Sequence, residues 1–450
     1  KIFRRLVSLV KKLLSFLLLV GLVTVLVACN SDDTGSSSDS SEPNDAGESS
    51  DSSDSEGSSD GESVELTMWV FPGMGIDEQI QKYQDENPNV KITVQEAEYA
   101  DHHTNLLTAL GAGSGAPDVA VVESGYIEQF KVNPDQFHNL NDYGAADVKD
   151  DYVEWRWREA SSPDGDFVLG LPTDVGPMAM AYRVDLFEDA GLPTTPDEVS
   201  ELLKTWDDYT EAGRQLYEET GVYMYNHIAE IFSVIREQGE EQYFDTDNNL
   251  IIEESEQIQK AWDVAVNSRD IQAGIDREST EYGAALARGD FATVFLPPWM
   301  LQNIKDDAPD TEGLWNVAQM PEASGNWGGS LLTVPAQSDH PQEAFDFISW
   351  LMAPEQQLEI FKQYGNFPSA PELYDNEEVI NFNDPFFNRE DLGAMFAEAA
   401  QRVEYVYRSP DTSTVNTIMG DSLTTIIDGQ ASPEEAWDNA LAEIDRQLSR

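Results

Sequence analysis

From Val64 onward short apolar runs alternate with amphipathic ones, and this alternation limits the fold more than any other feature of the chain. Val64-Glu65-Leu66-Thr67-Met68-Trp69-Val70 reads as a strand, broken by Phe71-Pro72-Gly73. A helix pattern follows over Ile76 to Glu86 and stops at Asn87-Pro88. Val90 to Val94 is a second strand, Asp101 to Leu110 a second helix, and Asp118 to Val122 a buried strand. Strands alternating with helices predict an α/β fold whose sheets are mostly parallel and flanked by helices. Ligands of such sheets sit at the carboxyl ends of the strands. That places Trp69, Phe71, Glu123 and Tyr126 at one rim.

A second set of elements follows at similar spacing. Met178 to Tyr182, Phe291 to Leu296 and Ser330 to Val334 are strands, and Ser200 to Glu219 reads as one long amphipathic helix. His340 to Met352 and Pro354 to Gln363 are consecutive helices. The last helix opens on Ser432-Pro433-Glu434-Glu435, a capping box with Pro in its first turn. Roughly 390 residues of such pattern suit two domains.

Composition changes abruptly at Cys29, the single cysteine among 450 residues. Before it, Lys1, Arg4, Arg5, Lys11 and Lys12 precede an apolar run of about fifteen residues, shorter than the roughly 20 that span a membrane. This is the pattern of a secretory signal peptide over residues 1–28. Leu26-Val27-Ala28-Cys29 resembles the lipobox of bacterial lipoproteins, where the thiol receives a diacylglyceryl group. Two acyl chains anchor stably where one is marginal. Residues 29–62 are then the lipidated cysteine and an acidic Ser, Asp, Glu and Gly tether, expected to be disordered.

Lys and Arg number 26 against 85 Asp and Glu, a net charge of −59, and loss of the five basic residues before Cys29 takes it to −64. Nucleic acid is excluded as a partner, because phosphate neutralisation needs Lys and Arg. With one cysteine there is no intramolecular disulfide, so an exported fold rests on its core.

Five blocks in order carry a resemblance to the extracellular solute-binding proteins of ABC sugar importers, the group of maltose-binding protein. They are Gly115-Ala116-Pro117-Asp118-Val119, Leu171-Pro172 through Tyr182-Arg183-Val184-Asp185-Leu186-Phe187 to Pro193, Gly289-Asp290-Phe291-Ala292 with Pro298-Trp299, Trp327-Gly328-Gly329 with Pro341 to Trp350, and Tyr364-Gly365-Asn366-Phe367-Pro368. The resemblance implies two lobes, residues 63–173 plus 320–365 and 174–319 plus 366–450, closing on a sugar by a hinge motion. Its crossings would fall near Thr173-Asp174-Val175, Gln319-Met320-Pro321 and Gly365-Asn366-Phe367. It further implies a monomer on the outer face of the bacterial membrane, delivering carbohydrate to the transmembrane subunits of an importer, with no cofactor and no catalysis.

Sugars present apolar C–H faces and a rim of hydroxyls, which aromatic rings and polar acceptors meet together. Trp299, after a strand end and Pro297-Pro298, is the leading candidate for stacking, with Trp327 beside Gly328 and Gly329 next. Trp69, Phe71, Tyr126, Tyr282 and Tyr364 are further aromatic candidates, and Glu123 and Asp174 are candidate hydroxyl acceptors. Asp245, Asp247, Asn249 and Glu256 occupy calcium-loop positions, but Leu250 stands where that loop needs glycine, so a polar hairpin is the reading. A glycoside hydrolase using two carboxylates, and a binding protein for a non-sugar solute, are the competing functions. No Gly-x-Ser-x-Gly elbow, phosphate loop or His-Glu-x-x-His motif is present.

Overall fold

The computed structural model describes residues 63–449. Cys29, the signal segment and the acidic tether lie outside the described residues. Ten strands organise the rest: β1 Val64–Val70, β2 Val90–Glu96, β3 Val119–Glu123, β4 Gly170–Pro172, β5 Asp174–Val175, β6 Ala179–Arg183, β7 Thr293–Leu296, β8 Trp315–Ala318, β9 Ser330–Thr333 and β10 Phe367–Pro368.

The first lobe is a five-stranded sheet in the order β2-β1-β3-β9-β4. Its period-two pattern divides the apolar side chains between two helix layers. Leu66, Met68, Val70 and Val121 face one core. Ala120, Val122, Leu169 and Leu331 face the other. The second lobe is a three-stranded sheet, β7-β6-β8, divided the same way. Met180, Tyr182 and Phe295 pack into one core, and Ala181, Val294 and Val317 into the other.

Strand direction differs from the expectation of mostly parallel sheets. The pairs β1–β2 and β1–β3 are parallel, but β3–β9 and β4–β9 are antiparallel. In the second sheet β6 runs antiparallel to both neighbours. Strand–helix alternation fixes direction only for strands joined by a crossover on one sheet. β4 and β9 instead belong to segments that pass between the lobes, so they run against the strands beside them.

Three connections cross between the sheets. The first carries β5, which pairs antiparallel with β10 of the third, Val175 against Phe367. These lie where Thr173-Asp174-Val175 and Gly365-Asn366-Phe367 were expected to cross. The middle crossing lies later than Gln319-Met320-Pro321. Gln319 N donates to Ser200 Oγ and Glu322 N to the Lys204 carbonyl, which hold that stretch on the second lobe. Ser324 to Trp327 bond to the first crossing: Ser324 Oγ donates to the Met178 carbonyl, Met178 N to the Gly325 carbonyl, Gly176 N to Asn326 Oδ1 and Trp327 N to the Gly176 carbonyl.

The single helix expected over Ser200 to Glu219 is two, Pro196–Leu202 and Trp206–Thr220. Thr205 interrupts it: its hydroxyl accepts from Asp208 N while the Asp208 carboxylate accepts from Thr205 N, a complete capping box. The C-terminal helix, Pro433–Leu448, carries the expected box between Ser432 and Glu435. Phe244 and Leu250 bridge the polar hairpin, and the Asp245 carboxylate accepts from Asp247 N and from Asn249 N and Nδ2, which commits it to the turn.

Candidate functional site

A cleft of about 1500 Å³ is bounded by residues of both sheets. Its floor on the first lobe is the carboxyl ends of β1 and β3, with the start of β9 lying beside the end of β3. Phe71, Glu123, Tyr126, Asp174, Tyr282, Trp299, Trp327, Gly328, Gly329 and Tyr364 all line it. Trp69 does not. One residue before the strand end it faces the opposite layer, half-buried against the core of Leu106, Leu110 and Ala120.

The first-lobe wall is a cluster of rings. Phe71 meets Tyr99 edge-on at 5.3 Å, Tyr99 meets Tyr126 edge-on at 5.7 Å, and Tyr126 stacks on His103 at 3.9 Å. The Tyr99 hydroxyl donates to Glu123 Oε2 at 2.6 Å and Gly125 N donates to the same oxygen at 2.7 Å. Burial nevertheless pushes the Glu123 carboxyl above its ordinary range, against the pull of those two bonds. Asp174 is raised by burial too, although Thr173 Oγ1 donates to it at 2.5 Å.

His103 is fully buried, and burial lowers it to about 4 from an ordinary 6.5. The unfolded chain therefore takes up a proton that the folded chain refuses as pH falls from about 6.5 to about 4. Stability drops through that window by up to about 3 kcal/mol. Glu123, raised by burial, acts with the opposite sign, since its folded form is protonated first on acidification. His103→Gln should make the fall of Tm between roughly pH 7 and 4.5 shallower. An unchanged slope would contradict a neutral buried imidazole.

The second-lobe wall is built differently. Trp299 follows β7 at the head of a short 3₁₀ turn and is 40% exposed, an unusual state for a tryptophan in so well packed a chain. Its Nε1 donates to the Trp327 carbonyl at 3.3 Å. Arg277 lies between the rings of Tyr282 and Trp327, 5.5 and 5.6 Å from their centroids. Glu230 takes two of its N–H groups, through Oε2 and Oε1, and the Phe295 carbonyl accepts from Nη2 at 3.0 Å. Burial opposes the Arg277 charge, but Glu230 and Tyr282 more than offset it and hold the guanidinium ionised.

Gly328 and Gly329 tie the two walls together. Both have left-handed φ, +93° and +82°. A Cβ on Gly329 would stand 2.5 Å from the Asp174 carbonyl oxygen and 3.0 Å from Arg156 Nη2. Ser124 N donates to the Gly329 carbonyl at 3.0 Å, so the close approach is part of the β3 end. Gly329→Ala should therefore lower stability by more than the roughly 1–3 kcal/mol of the backbone conformation alone. A Tm within a degree or so of the unsubstituted protein would contradict this packing.

Tyr99, Glu230 and Arg277 also line the cleft and were not singled out from sequence. Tyr99 had a signal, since it follows the carboxyl end of β2 and so stands where the rim rule places ligand contacts. Arg277 had none, lying in an irregular stretch whose partner Glu230 is 47 residues away. Among the described residues no group of three or more His, Cys, Asp or Glu is placed to hold a metal ion.

Two α/β lobes around an aromatic-walled cleft define a two-lobed solute-binding class of protein. Residues 78–385 match the family model described as bacterial extracellular solute-binding protein, and the chain belongs to that family. It is 28% identical over 412 residues to the arabinooligosaccharide-binding protein of Halalkalibacterium halodurans, covering 86% of this chain and 90% of that one. With the arabinooligosaccharide-binding protein of Bacillus subtilis it shares 27% over 406 residues, 84% of this chain and 92% of the relative. A crystal structure of an extracellular solute-binding protein of family 1 superposes with a TM-score of 0.82 at 34% identity, over 85% of this chain and 99% of that chain.

Proposed function

We propose that the protein captures a neutral oligosaccharide in this cleft, without catalysis, and hands it to the transmembrane subunits of an ABC importer. The observation that carries the reading is the pair of facing aromatic walls, Phe71, Tyr99 and Tyr126 on one side and Trp299, Trp327 and Tyr282 on the other. Rings on both sides suit a ligand with apolar faces, and an extended cleft suits more than one sugar unit. The charge of the cleft supports a neutral ligand. Arg277 is held by Glu230, Arg236 and Arg408 are held by Glu237, and Glu98, Glu128, Asp276, Glu278 and Asp307 add further acids along the lining. An anionic solute would need cations with unused donors. The two arabinooligosaccharide-binding relatives support the same class of ligand for this chain.

Glu123, Asp174, Trp299, Trp327 and the Gly328-Gly329 backbone are assigned as ligand contacts, with Tyr126, Tyr282, Phe71 and Tyr364 completing the walls. Residues 63–173 with 320–365 and 174–319 with 366–450 are the moving bodies, except that the stretch through Trp327, which bonds to and packs on the second lobe, moves with it. Lipid on Cys29 anchors the chain as a monomer at the outer face of the membrane, and residues 30–62 give it reach. Among the described residues no helix is long and apolar enough to cross a membrane.

A thermal-shift screen over mono- and oligosaccharides tests the reading. A neutral oligosaccharide is expected to raise Tm strongly and a uronic acid analogue of equal length to raise it little. Sustained hydrolysis of the sugar would instead support the glycoside hydrolase alternative.

A further inference from the structure

In a chain with 26 Lys and Arg against 85 acids, three arginines are withdrawn into a single buried ladder. Arg156, on the helix Glu154–Ala160 of the first lobe, donates through Nη1 to Ser124 Oγ at 2.6 Å and Glu159 Oε2 at 2.5 Å. Its Nη2 donates to the Ser330 carbonyl at 3.0 Å, at the start of β9. Glu159 passes the ladder to Arg408, whose Nη1 meets Glu159 Oε1 at 2.5 Å and whose Nη2 meets Glu237 Oε2 at 2.6 Å. Glu237, after the helix Ile228–Arg236 of the second lobe, also accepts from Arg236 Nη2 at 2.6 Å, and Arg236 in turn reaches Asn416 Oδ1. Side-chain exposure along the ladder is 0% at Arg156, 6% at Glu159, 15% at Arg408, 5% at Glu237 and 9% at Arg236.

The ladder starts on the first sheet and ends on a second-lobe helix, and Arg408 is its one link between them. The guanidinium fork is suited to this, with one Nη for each carboxylate. Arg236, Glu237 and Arg408 all line the cleft. We infer that Arg408 is a positioning residue: a latch between the lobes that sets the spacing of the cleft walls. It acts in a low-dielectric setting, where ion pairs are strong and geometry is decisive. A ladder serving only one lobe would need no member to span Glu159, on the helix Glu154–Ala160, and Glu237, at the end of the helix Ile228–Arg236.

The test needs no sugar, so its failure is separable from failure of the oligosaccharide reading. Spin labels at Asn105→Cys on the first lobe and Glu218→Cys on the second, in the full chain with Cys29→Ser, report the distance between lobes by pulsed dipolar spectroscopy. Arg408→Gln and Glu159→Gln each remove the Arg408–Glu159 ion pair, the bond of the ladder that passes between the lobes, and Arg408→Lys keeps the charge but loses the fork. The unsubstituted ladder is expected to give one narrow distance distribution. Each Gln variant should shift or broaden it toward longer distances, and Arg408→Lys should fall between. A lowered Tm with the distance distribution unchanged, in any variant that folds, overturns the latch and leaves the ladder as packing alone.

Discussion

Trp299→Ala should abolish most of the thermal stabilisation that a bound oligosaccharide confers, while leaving the ligand-free Tm nearly unchanged. The two halves of this expectation have separate causes. Trp299 is 40% exposed, and none of the four cores includes it, so truncation opens no internal cavity. A sugar face laid on the ring would cover about 80 Å² of apolar surface, worth about 2 kcal/mol at roughly 25 cal/mol per Å², or roughly thirtyfold in Kd. Trp327→Ala should behave differently. Trp327 packs against both second-lobe cores and under Arg277, so its loss should lower the ligand-free Tm as well. An unchanged ligand-induced shift in Trp299→Ala would remove the stacking assignment.

Cys29→Ala should move the protein from the membrane fraction to the soluble fraction and leave sugar affinity unaltered. Each buried CH₂ of an acyl chain contributes about 0.8 kcal/mol, so the proposed pair of chains would hold the protein stably and their loss would remove that anchor. The acidic surface offers no electrostatic substitute, since anionic lipid repels a chain of net charge −59, or −64 without the five basic residues before Cys29. Among the described residues the cleft lining begins at Phe71, so sugar affinity is expected to be independent of the thiol. Retention on membranes in this variant would remove the lipid anchor, and loss of sugar binding would remove the separation between tether and lobes.

What the sequence makes legible follows from how local each cause is. β1 is bounded by Phe71-Pro72-Gly73 and β3 by Glu123-Ser124-Gly125, breaks that can be read in place, and so Phe71, Glu123 and Tyr126 fall where expected. Trp69 shows the limit of the same reasoning: it is still inside β1, so its side chain packs on a face of the sheet against a helix layer, and only residues past the end of that strand reach the cleft. Thr205 and Asp208 form their capping box inside a pattern whose apolar period continues across the break, which is why Ser200 to Glu219 reads as one helix. The antiparallel course of β9 depends on a return from the other lobe, and nothing between Ser324 and Ser330 announces it. Arg408 is the extreme case, its carboxylate partners lying 249 and 171 residues away in sequence. Only the scarcity of basic residues marks it, and scarcity names no partner.

The most direct test of capture without catalysis is isothermal titration of the protein with a neutral arabino-oligosaccharide, followed by chromatography of the recovered sugar. Saturable binding with one sugar per chain, and sugar returned at its original length, is the expected result. Shortened sugar, or no heat from any neutral oligosaccharide tried, would contradict it.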